Sequence, residues 1–332
     1  MHYFFKTIRK VFFALCYSYL MVMLAGCQKE LTEPGNLVPL TVEEDQSLPS
    51  ISVNGTLLHA EAYGDSNNSM IVFLHGGPGS DYRNGLNVKE LSAQGYYVVF
   101  YDQRGTGLSK RHNKGAFTVQ VYLDDLTAVI EHYRTSENQK IILFGHSWGA
   151  MLTSAYINAY PDRIAGAILA EPGGINKQLL DEYGATSRKL ELFSETTNDI
   201  LYSEQFLSRN NHEVLDYKLS LQSPFSYSKG NNEGVEGPSP FWRNGAVSLY
   251  AMVDIADNEG FDFTTNLSSY TPKVLFIYGG NNLSYGQKFA LKEARFFPNY
   301  ELAEIKDTGH EMIYFKWENV KAAILPYLNS MN

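Results

Sequence analysis

Ser147 lies in the run Gly145, His146, Ser147, Trp148, Gly149. A serine hydroxyl attacks a carbonyl carbon only when a base removes its proton and the backbone holds it exposed at a sharp turn. Such a turn is crowded, so the flanking positions must lack side chains that would collide with it, which Gly145 and Gly149 satisfy. Ile141, Ile142, Leu143 and Phe144 precede the turn and read as a buried parallel strand. A helix-like segment follows from Ala150 to about Tyr160. Strand, single-serine turn and helix together form the context of a nucleophile elbow. The competing reading is a glycine-rich turn without chemistry, and the rest of the chain must decide between them.

A chain of 332 residues that is 44% hydrophobic can bury one large core or two modest ones. The net charge of −9 and the absence of a long basic run argue against nucleic acid as a partner. Lys6, Arg9 and Lys10 precede an uncharged apolar run over residues 11–26, the layout of a secretory signal. The run ends in Leu24, Ala25, Gly26, Cys27, which resembles the lipobox of bacterial lipoproteins. That resemblance implies a signal peptide over residues 1–26, acylation of Cys27 and attachment to a lipid bilayer. The competing reading is an ordinary signal peptide or a short membrane anchor in which Cys27 is incidental. Gln28, Lys29 and Glu30 are similar to short export signals of surface lipoproteins, so the expected place is the bacterial cell envelope, periplasmic or surface-exposed.

Removing the signal takes away three positive charges and no negative one, moving −9 to −12. An acidic surface is repelled by anionic headgroups, so attachment would rest on acyl chains. Cys16 lies in the signal and Cys27 would carry lipid, leaving no cysteine for a disulfide, a nucleophile or a metal site. No cofactor is expected. Residues 27–48, polar and with Pro34, Gly35, Pro39, Glu43, Glu44 and Asp45, read as the lipidated cysteine and a flexible tether.

The folded domain is expected over residues 49–332. Asn54 and Gly55 between two short apolar runs signal a type I′ hairpin. Strands are expected at residues 70–74, 96–100, 141–144, 164–170, 273–278 and 300–305, alternating with helical segments. That alternation predicts an α/β architecture, a mostly parallel sheet opened by an antiparallel hairpin. From about residue 173 to 270 the pattern changes to Asn, Ser, Glu and aromatics, with helical stretches near 179–193 and 203–219. This region reads as a helical cap inserted into one domain.

Four motifs then fall in order at strand ends: His75, Gly76, Gly77, Pro78, Gly79; Asp102, Gln103, Arg104, Gly105, Thr106, Gly107; the turn at Ser147; and Gly309, His310. Together they resemble the α/β-hydrolase superfamily, and the first two are most similar to the prolyl aminopeptidase (proline iminopeptidase) group of serine peptidases. The resemblance covers roughly residues 51–327, is weakest in the cap, and implies an α/β-hydrolase fold with about eight strands. His310, in a loop after the last strand, becomes the candidate base for Ser147. His75 and His146 sit in motifs whose histidine usually packs. The family positions assign the oxyanion to the backbone N–H groups of Gly77 and Trp148. Pro78 has no N–H and cannot serve.

The acid departs from the family pattern. Relatives usually carry Asp after the strand at 273–278, where this chain reads Gly279, Gly280, Asn281, Asn282. An amide at Asn282 could orient the imidazole but not stabilise its cation by charge. Some α/β-hydrolases place the acid one strand earlier, where this chain has Glu171 before Pro172 and Gly173. Glu171 is therefore the expected third member, with a substrate-amine anchor as its competing role; Asp102 and Asp307 more often have structural roles. An aminopeptidase for short peptides is the leading expectation. Such enzymes hold a substrate ammonium with cap carboxylates, and Glu182, Glu191, Glu195, Glu233 and Glu236 are available. The cap lacks the Trp-x-x-Trp-Glu type motif of typical prolyl aminopeptidases, so a carboxylesterase for small acyl esters is the alternative. Phe225, Tyr227, Phe241, Trp242 and Tyr250 suit either substrate or plain packing. A non-catalytic binding lipoprotein that kept the fold is the second alternative.

Overall fold

Five-residue strands with every side chain buried are the basis of the architecture. In Met70–Leu74 all five residues are buried. Met70, Val72 and Leu74 join one apolar cluster while Ile71 and Phe73 join the other, on the opposite face. Strand geometry points successive side chains to opposite faces, so a sheet covered on both sides demands an unbroken apolar run. Each such side chain contributes about 1.5–3 kcal/mol relative to exposure.

The computed structural model describes residues 36–187, 211–222 and 232–331. The signal segment, Cys27, Glu191, Glu195, Phe225 and Tyr227 lie outside the described residues. Eight strands form one sheet in the order β1-β2-β4-β3-β5-β6-β7-β8. They are β1 (Ser50–Val53), β2 (Thr56–Tyr63), β3 (Met70–Leu74), β4 (Tyr97–Tyr101), β5 (Ile141–His146), β6 (Gly166–Ala170), β7 (Val274–Gly279) and β8 (Tyr300–Ile305). β1 and β2 pair antiparallel, as do β2 and β4, and all later pairs are parallel. The hairpin turns at Asn54 and Gly55, both with positive φ, as the sequence requires.

A 3-10 helix, Tyr82–Gln94, links β3 to β4. The longer α-helices among the described residues are α1 (Val119–Tyr133), α2 (Trp148–Ala159), α3 (Lys177–Thr186), α4 (Asn211–Gln222), α5 (Ala246–Asn258), α6 (Gly286–Ala294) and α7 (Trp317–Asn329). Thr118 caps α1 through Val121 N, and Asn176 caps α3 through Leu179 N. Helices α3 to α5 belong to the insertion between β6 and β7. Its return segment is fixed to the core by Asp81, which accepts from Trp242 N at 2.6 Å and Arg243 N at 3.0 Å. Among the described residues no helix is long and apolar enough to cross a membrane.

One expectation changes. Residues 36–48 were expected as flexible tether, yet Val38, Thr41 and Val42 are buried. Val42 N donates to Leu108 O at 2.8 Å, and Arg243 donates to Pro39 O at 2.8 Å. Two valines gain burial here and a buried guanidinium gains an acceptor, which outweighs the linker-like Pro and acidic composition. Arg243 also meets Asp216 of α4 at 2.8 Å and Glu44 at 3.3 Å, so this strap touches the cap as well.

Candidate active site

β5 delivers Ser147 into a strained positive-φ conformation, φ 54° and ψ −121°, immediately before α2. Ser147 N donates to Ala170 O at 2.8 Å, tying the turn to the end of β6. The turn is tight enough to exclude Cβ atoms on both sides. A Cβ on Gly149 would lie 2.0 Å from Leu74 O, and one on Gly145 would lie 2.4 Å from Gly149 O. Both obstacles are backbone, so neither can swing away. Gly149→Ala should therefore destabilise by about 1–3 kcal/mol or more, read as a lower urea midpoint. An unchanged midpoint would contradict this turn geometry.

The loop after β3 passes against the serine, since a Cβ on Gly76 would meet Ser147 Cβ at 3.2 Å. His75 holds this loop. Its Nδ1 lies 2.8 Å from Gly76 O, and its Nε2 accepts from Gln103 N at 3.0 Å. One nitrogen donates and the other accepts, so the ring is neutral, and burial pushes its pKa down. Gln103 also donates to His75 O at 3.0 Å and accepts from Trp148 Nε1 at 2.8 Å. The β4 loop thus clamps together the two segments that carry Gly77 and Trp148. Trp148 opens α2, so its N–H has no intrahelical acceptor. Gly77 N–H has no acceptor among the hydrogen bonds of the described residues.

His310 follows β8. Its N–H donates to Glu233 O at 2.9 Å and its carbonyl lies 2.8 Å from His146 Nε2. Its Nδ1 lies 2.7 Å from Glu171 Oε2. Glu171, fully buried and at positive φ, directly follows β6, and its Oε1 accepts from Gly279 N at 2.7 Å. Asn282 does not meet the imidazole. Its Nδ2 donates to Glu171 Oε2 at 2.7 Å. Asp102 instead accepts from His59, Tyr82 N and Leu108 N, and Asp307 is an exposed turn residue.

Burial by itself would lower the His310 pKa. The hydrogen bond to Glu171, the charge of Glu233, the charge of Glu171 and that of Glu311 outweigh it and hold the pKa above the usual histidine value. A base works only when unprotonated, so its contribution is lost as pH falls through the raised pKa. kcat/KM should therefore rise with pH through an apparent pKa above about 6.5, and Glu233→Gln should move that limb to lower pH. A limb unmoved by this change would contradict the assignment. The stability linkage has the other sense: the stabilisation from His310 is complete below its unfolded pKa and is lost as pH rises through the folded one.

Ser147 and His310 line a cavity of about 300 Å³ with Gly76, Gly77, Tyr183 and Glu233. Of the cap carboxylates expected from sequence, only Glu233 among the described residues lines it. Glu182 is exposed and paired with Lys292, and Glu236 is exposed. Glu233 is buried and accepts from Tyr183 O–H at 2.5 Å. Sequence reasoning missed Glu311 and Asn84, which line the same cavity and meet at 3.2 Å. Their signal was slight: Glu311 adjoins His310, and Asn84 is one polar residue in a helical segment. Phe241 lines the cavity, whereas Trp242 packs on His59 and Tyr82.

A family model described as serine aminopeptidase, S33, matches residues 65–220. Epoxide hydrolase B of Mycobacterium tuberculosis is 31% identical over 121 residues, 36% of this chain and 33% of that protein. The matched segment thus spans only a third of that relative's length. A proline iminopeptidase of Saccharolobus solfataricus is 34% identical over 208 residues, 56% of this chain and 65% of that one. The crystal structure of a proline iminopeptidase from Mycobacterium smegmatis superposes with a TM-score of 0.58 at 16% identity, covering 85% of this chain and 98% of that one. With the sheet order and the inserted cap already described, these likenesses give the chain the α/β-hydrolase fold and a similarity to proline iminopeptidases over part of its length.

Proposed function

We propose that the chain is a serine hydrolase of the aminopeptidase type, cleaving short peptides that carry a free amino end. One observation carries the choice of substrate: two carboxylates, Glu233 and Glu311, line the cavity beside Ser147 and His310, while no described Lys or Arg does. A substrate ammonium is attracted there and a substrate carboxylate is repelled. In this reading Ser147 Oγ attacks the scissile carbonyl and His310 Nε2 takes its proton, because Nδ1 is engaged by Glu171. The Gly77 and Trp148 N–H groups receive the oxyanion. His310 then protonates the leaving amine, and water releases the acyl group by the reverse sequence.

The test compares an aminoacyl anilide, its N-acetyl counterpart and a short acyl ester. The free-amine anilide should exceed the acetylated one by about 10–100-fold in kcat/KM, and Glu233→Gln should erase most of that preference by raising KM. Equal rates on the two anilides, with faster ester cleavage, would replace this reading with the carboxylesterase one. Leu219, Phe241 and Leu249 in the cavity wall favour that second reading.

We also propose lipid anchoring through Cys27, supported by the tetrapeptide that ends the apolar run. Cys27→Ala should abolish palmitate labelling and leave specific activity intact. Labelling that survives the change would end the proposal.

A further inference from the structure

Asn282 lies three residues past the end of β7, and its amide has its orientation fixed at both ends. Asn282 Oδ1 accepts from Ser284 N and Tyr285 N, each at 3.0 Å. Two backbone donors demand the oxygen on that side, so the NH₂ must face Glu171 Oε2, 2.7 Å away. Glu171 then accepts from three donors: Gly279 N on Oε1, and Asn282 Nδ2 and His310 Nδ1 on Oε2. Asn282 is itself buried, with 2% exposure, so solvent does not compete for these bonds.

We propose that Asn282 is a positioning residue for Glu171: its amide fixes the carboxylate and, through it, the Nδ1–H tautomer of His310, so an aspartate at 282 cannot stand in for Glu171. The inference rests on the Ser147–His310–Glu171 reading above. An aspartate at 282 would still accept from Ser284 and Tyr285, and its second oxygen would face Glu171 Oε2 at the same short distance. Two carboxylates that close cannot both ionise without a large penalty.

The hydrogen-bond inventory makes the pairwise outcome specific. Glutamine at 171 has one acceptor oxygen for two acceptor places, so its NH₂ must oppose either Gly279 N–H or Asn282 NH₂. Combining Glu171→Gln with Asn282→Asp removes that conflict. The Gln oxygen accepts from Gly279 N–H, and its NH₂ donates to Asp carboxylate and to His310 Nδ1. Every group is then satisfied, but Nδ1 has become an acceptor and the ring proton sits on Nε2. That tautomer cannot take a proton from Ser147.

The experiment is a double-mutant cycle on the full chain, reading kcat, Tm at about pH 8 and the His310 ring tautomer by ¹⁵N NMR. Asn282→Asp should lower Tm when Glu171 is present and raise it when Gln is present. The double variant should regain Tm but stay within about tenfold of Glu171→Gln in kcat, with its proton on Nε2. Asn282→Ala should lose about tenfold in kcat at unchanged KM. Recovery of kcat by more than tenfold in the double variant, or an Nδ1–H tautomer there, would overturn the inference alone. Full activity in Glu171→Gln itself would overturn the triad reading and this inference with it.

Discussion

Ser147→Ala and His310→Ala should each lower kcat by about 10⁴–10⁶, roughly 5–8 kcal/mol of transition-state stabilisation. In the proposed mechanism neither residue works without the other. Ser147 has no route to its alkoxide unless His310 takes the proton, and His310 has nothing to activate without Ser147. The double variant should therefore be little worse than either single one, and additive losses would show that the pair does not act as a unit. Both side chains line one cavity, and the backbone that presents them is held from several directions. Ser147 N is tied to β6, and His310 N is tied to Glu233 O. Substitution by alanine leaves these main-chain bonds in place, so folding should survive and the loss should be chemical.

Glu171→Gln is expected to cost about 10³–10⁴ in kcat while binding of substrate changes little. In the proposed mechanism the carboxylate does two things. It holds Nδ1–H of His310 at 2.7 Å, which leaves Nε2 unprotonated for Ser147. It also supplies negative charge beside the imidazolium that forms when the serine proton arrives. An amide can partly keep the first role but not the second. Glu171 is fully buried, so water cannot replace the lost charge. A Glu171→Gln enzyme within about tenfold of wild type would mean that another group stabilises the imidazolium; Glu233, whose charge also raises the His310 pKa, would be the first to examine.

The parts of this site that could be read from sequence share a physical cause. Interior parallel strands are written as unbroken apolar runs, so β3, β5 and β6 fix where the chain turns at the sheet edge. Motif residues at those turns, Gly77, Ser147 and Glu171, follow directly. Asn282 was legible as a missing acid but not as a donor to Glu171, because that contact joins residues 111 positions apart. Glu233 could not be told from four other glutamates. Its place in the cavity depends on how the 232–245 segment returns across Ser147, which no local pattern encodes. Helix α5 was missed because it starts after Gly245 with no side-chain cap. The buried strap at Val38 and Val42 was hidden by linker-like neighbours, and its partner Arg243 is about two hundred residues away.

Covalent capture tests the central claim most directly. A fluorophosphonate reacts with a serine only when a base activates it and an oxyanion site receives the phosphoryl oxygen. Intact-mass and peptide analysis of the labelled protein should show one adduct, on Ser147. It should be absent from Ser147→Ala and His310→Ala, and formed far more slowly by Glu171→Gln. Absence of an adduct in the folded wild-type chain, or an adduct on a different residue, would contradict a serine hydrolase built on Ser147, His310 and Glu171.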